Sequence, residues 1–158
     1  MGLKEVQDYF QSRGIQNEII LLNESSATVE LAAKALNREP GEIAKTMALQ
    51  LKDGTNIVIV IMGTARIDNR KYKDCFGCKA KMLSFDDTLA ITGHPVGGVC
   101  PFGLPEGIKV YLDKSLKKYE TVFPAAGTPN SAVGFSIADL EAAIDGTWID
   151  VCKEEEQE

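Results

Sequence analysis

The sequence predicts an α+β domain, a mixed or mostly antiparallel sheet with short helices packed around it. Ala44 to Lys52 and Thr55 to Met62 are β-prone runs joined by Asp53-Gly54, a favoured two-residue hairpin turn. Short helical periodicities are interleaved with several further short strands, the pattern of a mixed α+β chain. The chain has 158 residues, 44% of them hydrophobic, which suits one sizeable core and leaves little room for a second.

The elements follow in order. Leu3, Val6 and Phe10 fall at helical spacing, and Gly14 suits the position just past a helix C-terminus. Ile19 to Leu22 is a short apolar run read as a strand, punctuated by Asn23 to Ser26. Val29, Ala32, Ala33 and Leu36 recur at i, i+3, i+4, i+7, one helix face, with Ser26 or Thr28 available as N-cap. The run Ile57 to Ile61 shows no alternation, so the second hairpin strand is expected to be covered on both faces. Asp68 to Asp74 reads as a short helix. Ser84-Phe85-Asp86-Asp87 has the Ser-x-x-acid start of another, which Gly93 ends. Residues 93 to 105, dominated by Gly and Pro, are expected to be irregular. Lys109 to Leu112, Thr121 to Phe123 and Ser131 to Phe135 read as strands. Ser136 to Asp139 opens a last helix running through Ile144, and Trp148 to Val151 closes with a strand. The domain is expected over 1–152, with 153–158 an acidic, solvated tail.

Charge narrows the function classes. Lys and Arg number 17 against 23 Asp and Glu, a formal charge of −6, and the pI is near 4.9. That argues against broad, sequence-independent nucleic-acid binding, DNA included, but leaves room for a local basic patch. No apolar run reaches the length of a membrane-spanning helix, and the N-terminus lacks the layout of a secretory signal, so the cytoplasm is the expected compartment. No Ser/His/Asp order, HExxH or GxxxxGK[ST] occurs, so the usual hydrolase, zincin and nucleotide-loop signatures are absent.

Cys75-Phe76-Gly77-Cys78 is a CxxC, yet Cys100 and Cys152 stand alone and His94 is the single histidine. Zinc would need a second ligand pair, and thioredoxin-like chemistry needs the CxxC to open a helix rather than follow one. The four thiols are read as structural and reduced, with redox and metal roles as the lesser alternatives.

Two features do not read as scaffold. Lys45 shares a strand face with Ile43, Met47 and Leu49, so it either snorkels out or presents a cation inside a cleft. A cation held there can meet a phosphate or polarise an ester carbonyl. The second feature is the run Thr92 to Pro105, whose backbone N–H groups can be aimed at an oxyanion or carbonyl; the plain alternative is a surface connection. His94 in this run is read as a solvated loop histidine, with general base as the sharper alternative.

At these residues the sequence resembles the YbaK/EbsC family, whose editing domain also occurs inserted in bacterial prolyl-tRNA synthetases. The pieces are Ser26-Ala27-Thr28-Val29 with Ala32-Ala33, Ile43-Ala44-Lys45-Thr46, Ile67-Asp68 with Lys71, Thr92-Gly93 followed by Gly97 through Leu104, Ala125-Ala126-Gly127, and Asp139-Leu140. Their order and spacing, through nearly the whole chain, carry the resemblance. It implies a compact domain that hydrolyses the ester of a mischarged aminoacyl-tRNA, first of all tRNA(Pro) bearing Ala, Cys or another small residue. Prolyl-tRNA synthetase is the candidate protein partner, and no metal or cofactor is implied. Lys45 matches the family's key lysine, and Gly97-Gly98-Val99-Cys100-Pro101 its GxxxP loop, which holds the aminoacyl group by its backbone. Thr28, Thr46, Asp68, Lys71 and Gly127 match positions at or near the pocket. The water attack is helped in relatives by the terminal ribose hydroxyl, which fits a chain with no evident general base.

Departures from the family pattern also carry expectations. Cys100 stands where relatives often have Ser or Thr, changing pocket size or polarity. Asn130 is the nearest candidate where some relatives place a size-gating His, so alanine selectivity is not implied. Binding tRNA on an acidic chain requires Lys45, Lys71, Lys73, Lys79 and Lys81 to gather on one face. Two other readings stand beside the deacylase: a module that holds aminoacyl-tRNA or a synthetase without turnover, and a thiol redox protein using Cys75 and Cys78.

Overall fold

The computed structural model describes residues 2–23 and 28–154. The N-cap option at Ser26 and the last four residues of the acidic tail lie outside them. Helix α1, Leu3–Arg13, ends on Gly14 in the left-handed conformation (φ 68°), whose N–H closes the last turn. Strand β1, Ile19–Leu21, precedes α2, Val29–Leu36, which Thr28 caps by accepting the Leu31 N–H at 3.2 Å. After a 3-10 turn at Pro40–Glu42 come β2, Ile43–Gln50, and β3, Asn56–Met62. Strand β4, Ala65–Ile67, leads to α3, Asn69–Phe76, capped by the Asp68 carboxylate. Helix α4, Phe85–Thr92, is capped by Ser84 and stopped by Gly93. Strand β5, Lys109–Asp113, a 3-10 turn at Lys114–Lys118, β6, Thr121–Pro124, β7, Ser131–Val133, and β8, Phe135–Ser136, follow. Helix α5, Ile137–Ile144, opens on Ser136; β9, Thr147–Ile149, and β10, Cys152–Glu154, end the described chain.

The main sheet has the order β8-β6-β2-β3-β5-β9. Pairs β2–β3 and β6–β8 are antiparallel; β2–β6, β3–β5 and β5–β9 are parallel. The sheet is therefore mixed. Strand β3 lies inside it, and Ile57 to Met62 are each at most 2% exposed, covered on both faces as the unbroken apolar run requires. Val60 packs with Val6, Phe10 and Leu140 from α1 and α5, whereas Ile57, Ile59 and Ile61 pack with Tyr72 of α3 and Val151. Helix α2 covers Ile43 and Phe123 through Ala32 and Ala33.

Three local expectations are corrected. The hairpin loop has three residues, not two: Gly54 donates to the Leu51 carbonyl, Leu51 donates to Thr55, and Gly54 sits at φ 89°. A type I turn followed by a left-handed glycine matches the strand twist as well as the two-residue turn does. The run Ser131–Phe135 breaks at Gly134 because its halves serve different partners, β1 and β6. The closing strand is Thr147–Ile149, and a further one, β10, pairs with β4 through Lys153↔Arg66 and Glu154↔Ala65. Lys153 and Glu154 read as tail because their side chains are charged, but ladder bonds are made by backbone.

Candidate active site

Strand β2 has two different neighbours on the edge facing away from β3. Strand β6 lies along Ile43 and Ala44. Further on, Leu83 donates to the Ala48 carbonyl, and Gln50 donates to that of Lys81, each at 3.0 Å. Ladder alternation turns the N–H and C=O of Ala44, Thr46, Ala48 and Gln50 all toward this edge. Those of Thr46 fall in the gap between the two neighbours. A cleft of about 370 Å³ opens there, walled by α2, by Met82 and Leu83, by Val96, Gly97 and Val99, and by Ser131 and Ala132.

Most polar groups at the cleft are committed elsewhere. The Thr28 hydroxyl caps α2, Thr88 donates to the Ser84 carbonyl at 2.7 Å, and Ser131 donates to that of Thr128 at 3.1 Å. Lys45, half-buried and opposite Ile61, donates one N–H to the Ala65 carbonyl at 3.1 Å. An ammonium has three donors, so two remain. The Thr46 hydroxyl is buried and has no hydrogen-bond partner among the described residues. Among the described residues the lining includes no carboxylate, histidine or cysteine. Among the described residues Lys45 and Thr46 therefore supply the uncommitted polarity of an otherwise apolar cleft.

The Gly/Pro-rich loop is irregular, as expected, and internally braced. Gly97 sits at φ 92°. Gly98 donates to the Pro95 carbonyl at 2.9 Å and accepts the Gly127 N–H at 3.1 Å. A Cβ at Gly98 would lie 2.6 Å from Thr128 N and Cα, so only glycine permits this approach. Cys100, Pro101 and Phe102 turn inward, away from the cleft.

His94 is not solvated: it is fully buried. Its Nε2 lies 2.7 Å from the Phe102 carbonyl, which can only accept, so Nε2 carries the proton and Nδ1 is a bare acceptor with no partner among the described residues. Burial pushes its pKa down, opposed in part by the Phe102 carbonyl and the Glu5 charge. The unfolded chain consequently takes up a proton near pH 6.5 that the folded chain takes up only at lower pH. Stability is expected to fall as pH drops below about 6.5 and to level off below the folded-state pKa. Urea midpoints at pH 7.5 and 5.5 should move together in His94→Gln and apart in the parent; equal movement in both would remove this assignment.

Cys100 is likewise buried in the core beside His94, and burial pushes its thiol up to about 12. It was expected to tune the pocket; it is not among the residues lining the cleft and lies in the core cluster with Val6 and Phe10 of α1. Cys100→Ala should lower stability by about 1–2 kcal/mol and leave amino-acid preference unchanged, read from unfolding midpoints and a substrate panel.

Of the other expected site residues, Thr28, Lys45, Thr46, Gly97 and Val99 line the cleft. Gly98 stands behind it, and Gly127 (φ 99°) is pressed against Gly2. Asn130 is exposed on the turn before β7, accepting the Thr128 hydroxyl at 2.8 Å, and does not line the cleft. Asp68 caps α3, and the N–H groups of Lys71 and Arg70 hold its carboxyl below the usual range. Lys71 bonds Asp150 and the Cys152 carbonyl, each at 3.1 Å, and lines a second cavity. Sequence reasoning missed Met82 and Val96, because only the tertiary bridge Leu49↔Met82 and the loop's path bring them to β2.

The five lysines expected on one face are divided. Lys45 lines the cleft, Lys71 the second cavity, and Lys81 reaches the Gln50 side chain at 3.5 Å. The CxxC falls at a helix C-terminus, with Cys75 in the last turn of α3 and Cys78 past Gly77. Burial raises the Cys75 pKa, opposite to a reactive thiolate. All four cysteines are free, and no group of three or more His, Cys, Asp or Glu among the described residues is arranged to hold a metal ion. No helix among the described residues is long and apolar enough to cross a membrane.

Comparison with known proteins finds relatives of this chain by sequence and by fold. A family model described as the aminoacyl-tRNA editing domain matches residues 23–143. The chain is 45% identical over 155 residues to the Bacillus subtilis (strain 168) protein named Uncharacterized protein YwhH, spanning 98% of this chain and 99% of that one. It is 30% identical over 113 residues to the proline–tRNA ligase of Citrifermentans bemidjiense, a match covering 71% of this chain and 18% of the ligase. A solved structure proposed to be a trans-editing enzyme for prolyl tRNA synthetase superposes with a TM-score of 0.87 at 26% identity, over 98% of both chains.

Proposed function

Because this chain belongs to the aminoacyl-tRNA editing domain family, we propose that it is a free-standing deacylase that hydrolyses the ester of mischarged tRNA in the cytoplasm. The substrate we assign is tRNA(Pro) carrying a small, uncharged wrong amino acid. The observation that carries this reading is that Lys45, Thr46 and the loop residues Gly97 and Val99 line one apolar cleft, with no side-chain base among its described lining residues. Apolar walls suit an uncharged side chain, and among the described residues no carboxylate lines the cleft to pair with a cationic one.

In the reaction, water attacks the ester carbonyl carbon and the carbonyl electrons move to oxygen. The two remaining Lys45 protons and the loop N–H groups stabilise that oxyanion. Collapse breaks the bond to the ribose oxygen, which leaves as a hydroxyl by taking a proton given up by the attacking water, and the amino acid departs as carboxylate with the second proton released to solvent. With no base among the lining residues, the terminal ribose hydroxyl orients the water, and the protein contributes position and charge. Discrimination among small residues rests on single methylenes, worth about 1–3 kcal/mol each.

The test is amino-acid release from tRNA(Pro), and from the cognate tRNAs, charged with Ala, Cys, Ser, Thr and Pro. Turnover of one mischarged species supports the deacylase and names its substrate. Tight binding without release from any of them would turn the assignment to a non-catalytic aminoacyl-tRNA module.

A further inference from the structure

Four lysines meet at a second concavity that the cleft chemistry does not use. Lys71 of α3, Lys114 and Lys118 of the 3-10 turn after β5, and Lys153 of β10 line a cavity of about 340 Å³. Among the described residues two carboxylates, Asp113 and Asp150, line it too, so these lining side chains carry a formal charge of 4 − 2 = +2 on a chain of −6. Asp113 is turned inward and buried, accepting the Val151 and Ser115 N–H groups at 2.8 and 2.9 Å. Asp150 is 3.1 Å from Lys71. Among the described residues Lys114 and Lys153 are exposed and make no ion pair.

Among the described residues this concavity shares no lining residue with the cleft, but Cys152 links the two. Cys152 lines the concavity and lies within electrostatic reach of Lys45, whose ammonium bonds Ala65 on β4, the strand paired with β10. The β4–β10 ladder thus connects Lys45, bonded to Ala65 of β4, with Lys153 of the cluster on β10.

We propose that this lysine-lined concavity receives the phosphodiester backbone of the RNA whose ester enters the cleft. An acidic chain repels RNA at long range, so binding needs cations concentrated locally, where each neutralised phosphate releases a condensed counterion. Lysine suits the task because an ammonium on a flexible stem meets phosphates as a point charge, without base-specific geometry. The assignment rests on the deacylase reading but makes a separate prediction, because the cluster governs affinity and the cleft governs chemistry.

The experiment measures binding of uncharged tRNA(Pro) transcript by fluorescence anisotropy across a salt series, alongside deacylation of the substrate the panel identifies. The proteins are the parent, the double variant Lys114→Glu/Lys153→Glu, and a control, Lys34→Glu/Lys52→Glu, carrying the same charge change at exposed sites on α2 and the hairpin loop. The cluster variant should bind one to two orders of magnitude more weakly at ~0.1 M salt, with a salt slope smaller by roughly 1.4–1.8. Its KM should rise with kcat unchanged, and the control should change little. Equal loss in both double variants, or an unchanged Kd and slope in the cluster variant, would overturn the proposal. Salt-dependent binding through the cluster in a parent that deacylates nothing would leave this surface standing and remove the deacylase reading instead.

Discussion

Lys45→Ala is expected to lower deacylation of the preferred mischarged tRNA by about 10²–10³-fold, the usual cost of removing one preorganised donor to an oxyanion. The effect should fall on kcat, because the charge that Lys45 meets develops only as the carbonyl is attacked. The Ala65 carbonyl, buried on β4, loses its lysine partner, so a stability loss of about 1–3 kcal/mol should accompany it. The two effects separate on Lys45→Arg, which keeps a donor for Ala65 but places a planar guanidinium in a cleft shaped for an ammonium. Arginine should restore the unfolding midpoint while leaving kcat depressed. Full activity in Lys45→Ala, checked by initial rates at saturating substrate, would take Lys45 out of the reaction.

Gly98→Ala should be nearly as damaging by a different route. The added methyl would meet the backbone of Thr128 at 2.6 Å and of Gly127 at 2.7 Å, where no side chain can rotate aside. The loop must shift, breaking the bond from Gly127 N–H to the Gly98 carbonyl. Overpacking of this kind costs about 1–3 kcal/mol, and a displacement of about 1 Å at a positioning group can cost about 10²-fold in rate. Gly107→Ala is the control. Its φ of 92° is hostile to alanine, whereas Gly98 is barred by contact alone; nothing lies within 4 Å of a Gly107 Cβ, and Gly107 does not line the cleft. It should lose stability alone; activity falling equally in both variants would show that the loop's position does not matter.

The elements with a periodic or capping signature were readable in the chain. Gly14, Thr28, Ser84, Gly93 and Ser136 each mark a helix end, because caps are local bonds between residues two to four apart. Strand β3 was readable as doubly covered because five consecutive β-branched residues leave no polar face. Lys45 stood out for the complementary reason, a charge on an otherwise apolar strand face. The short pair β4–β10 had no such mark, since three-residue strands are held by backbone partners nearly ninety positions apart in sequence.

The sequence by itself therefore determined the α+β class, the hairpin, the helix ends, and the lysine and glycine loop at which chemistry is sought. Their physical basis is local: side-chain periodicity and short-range capping. Only the tertiary structure decided that His94 and Cys100 are buried, that Asn130 stands outside the cleft, and that Lys71 joins Lys114, Lys118 and Lys153 rather than Lys45. Those outcomes depend on which way an irregular loop turns and which distant backbones pair. Both are settled by packing among residues far apart in the chain, where local propensity has no purchase.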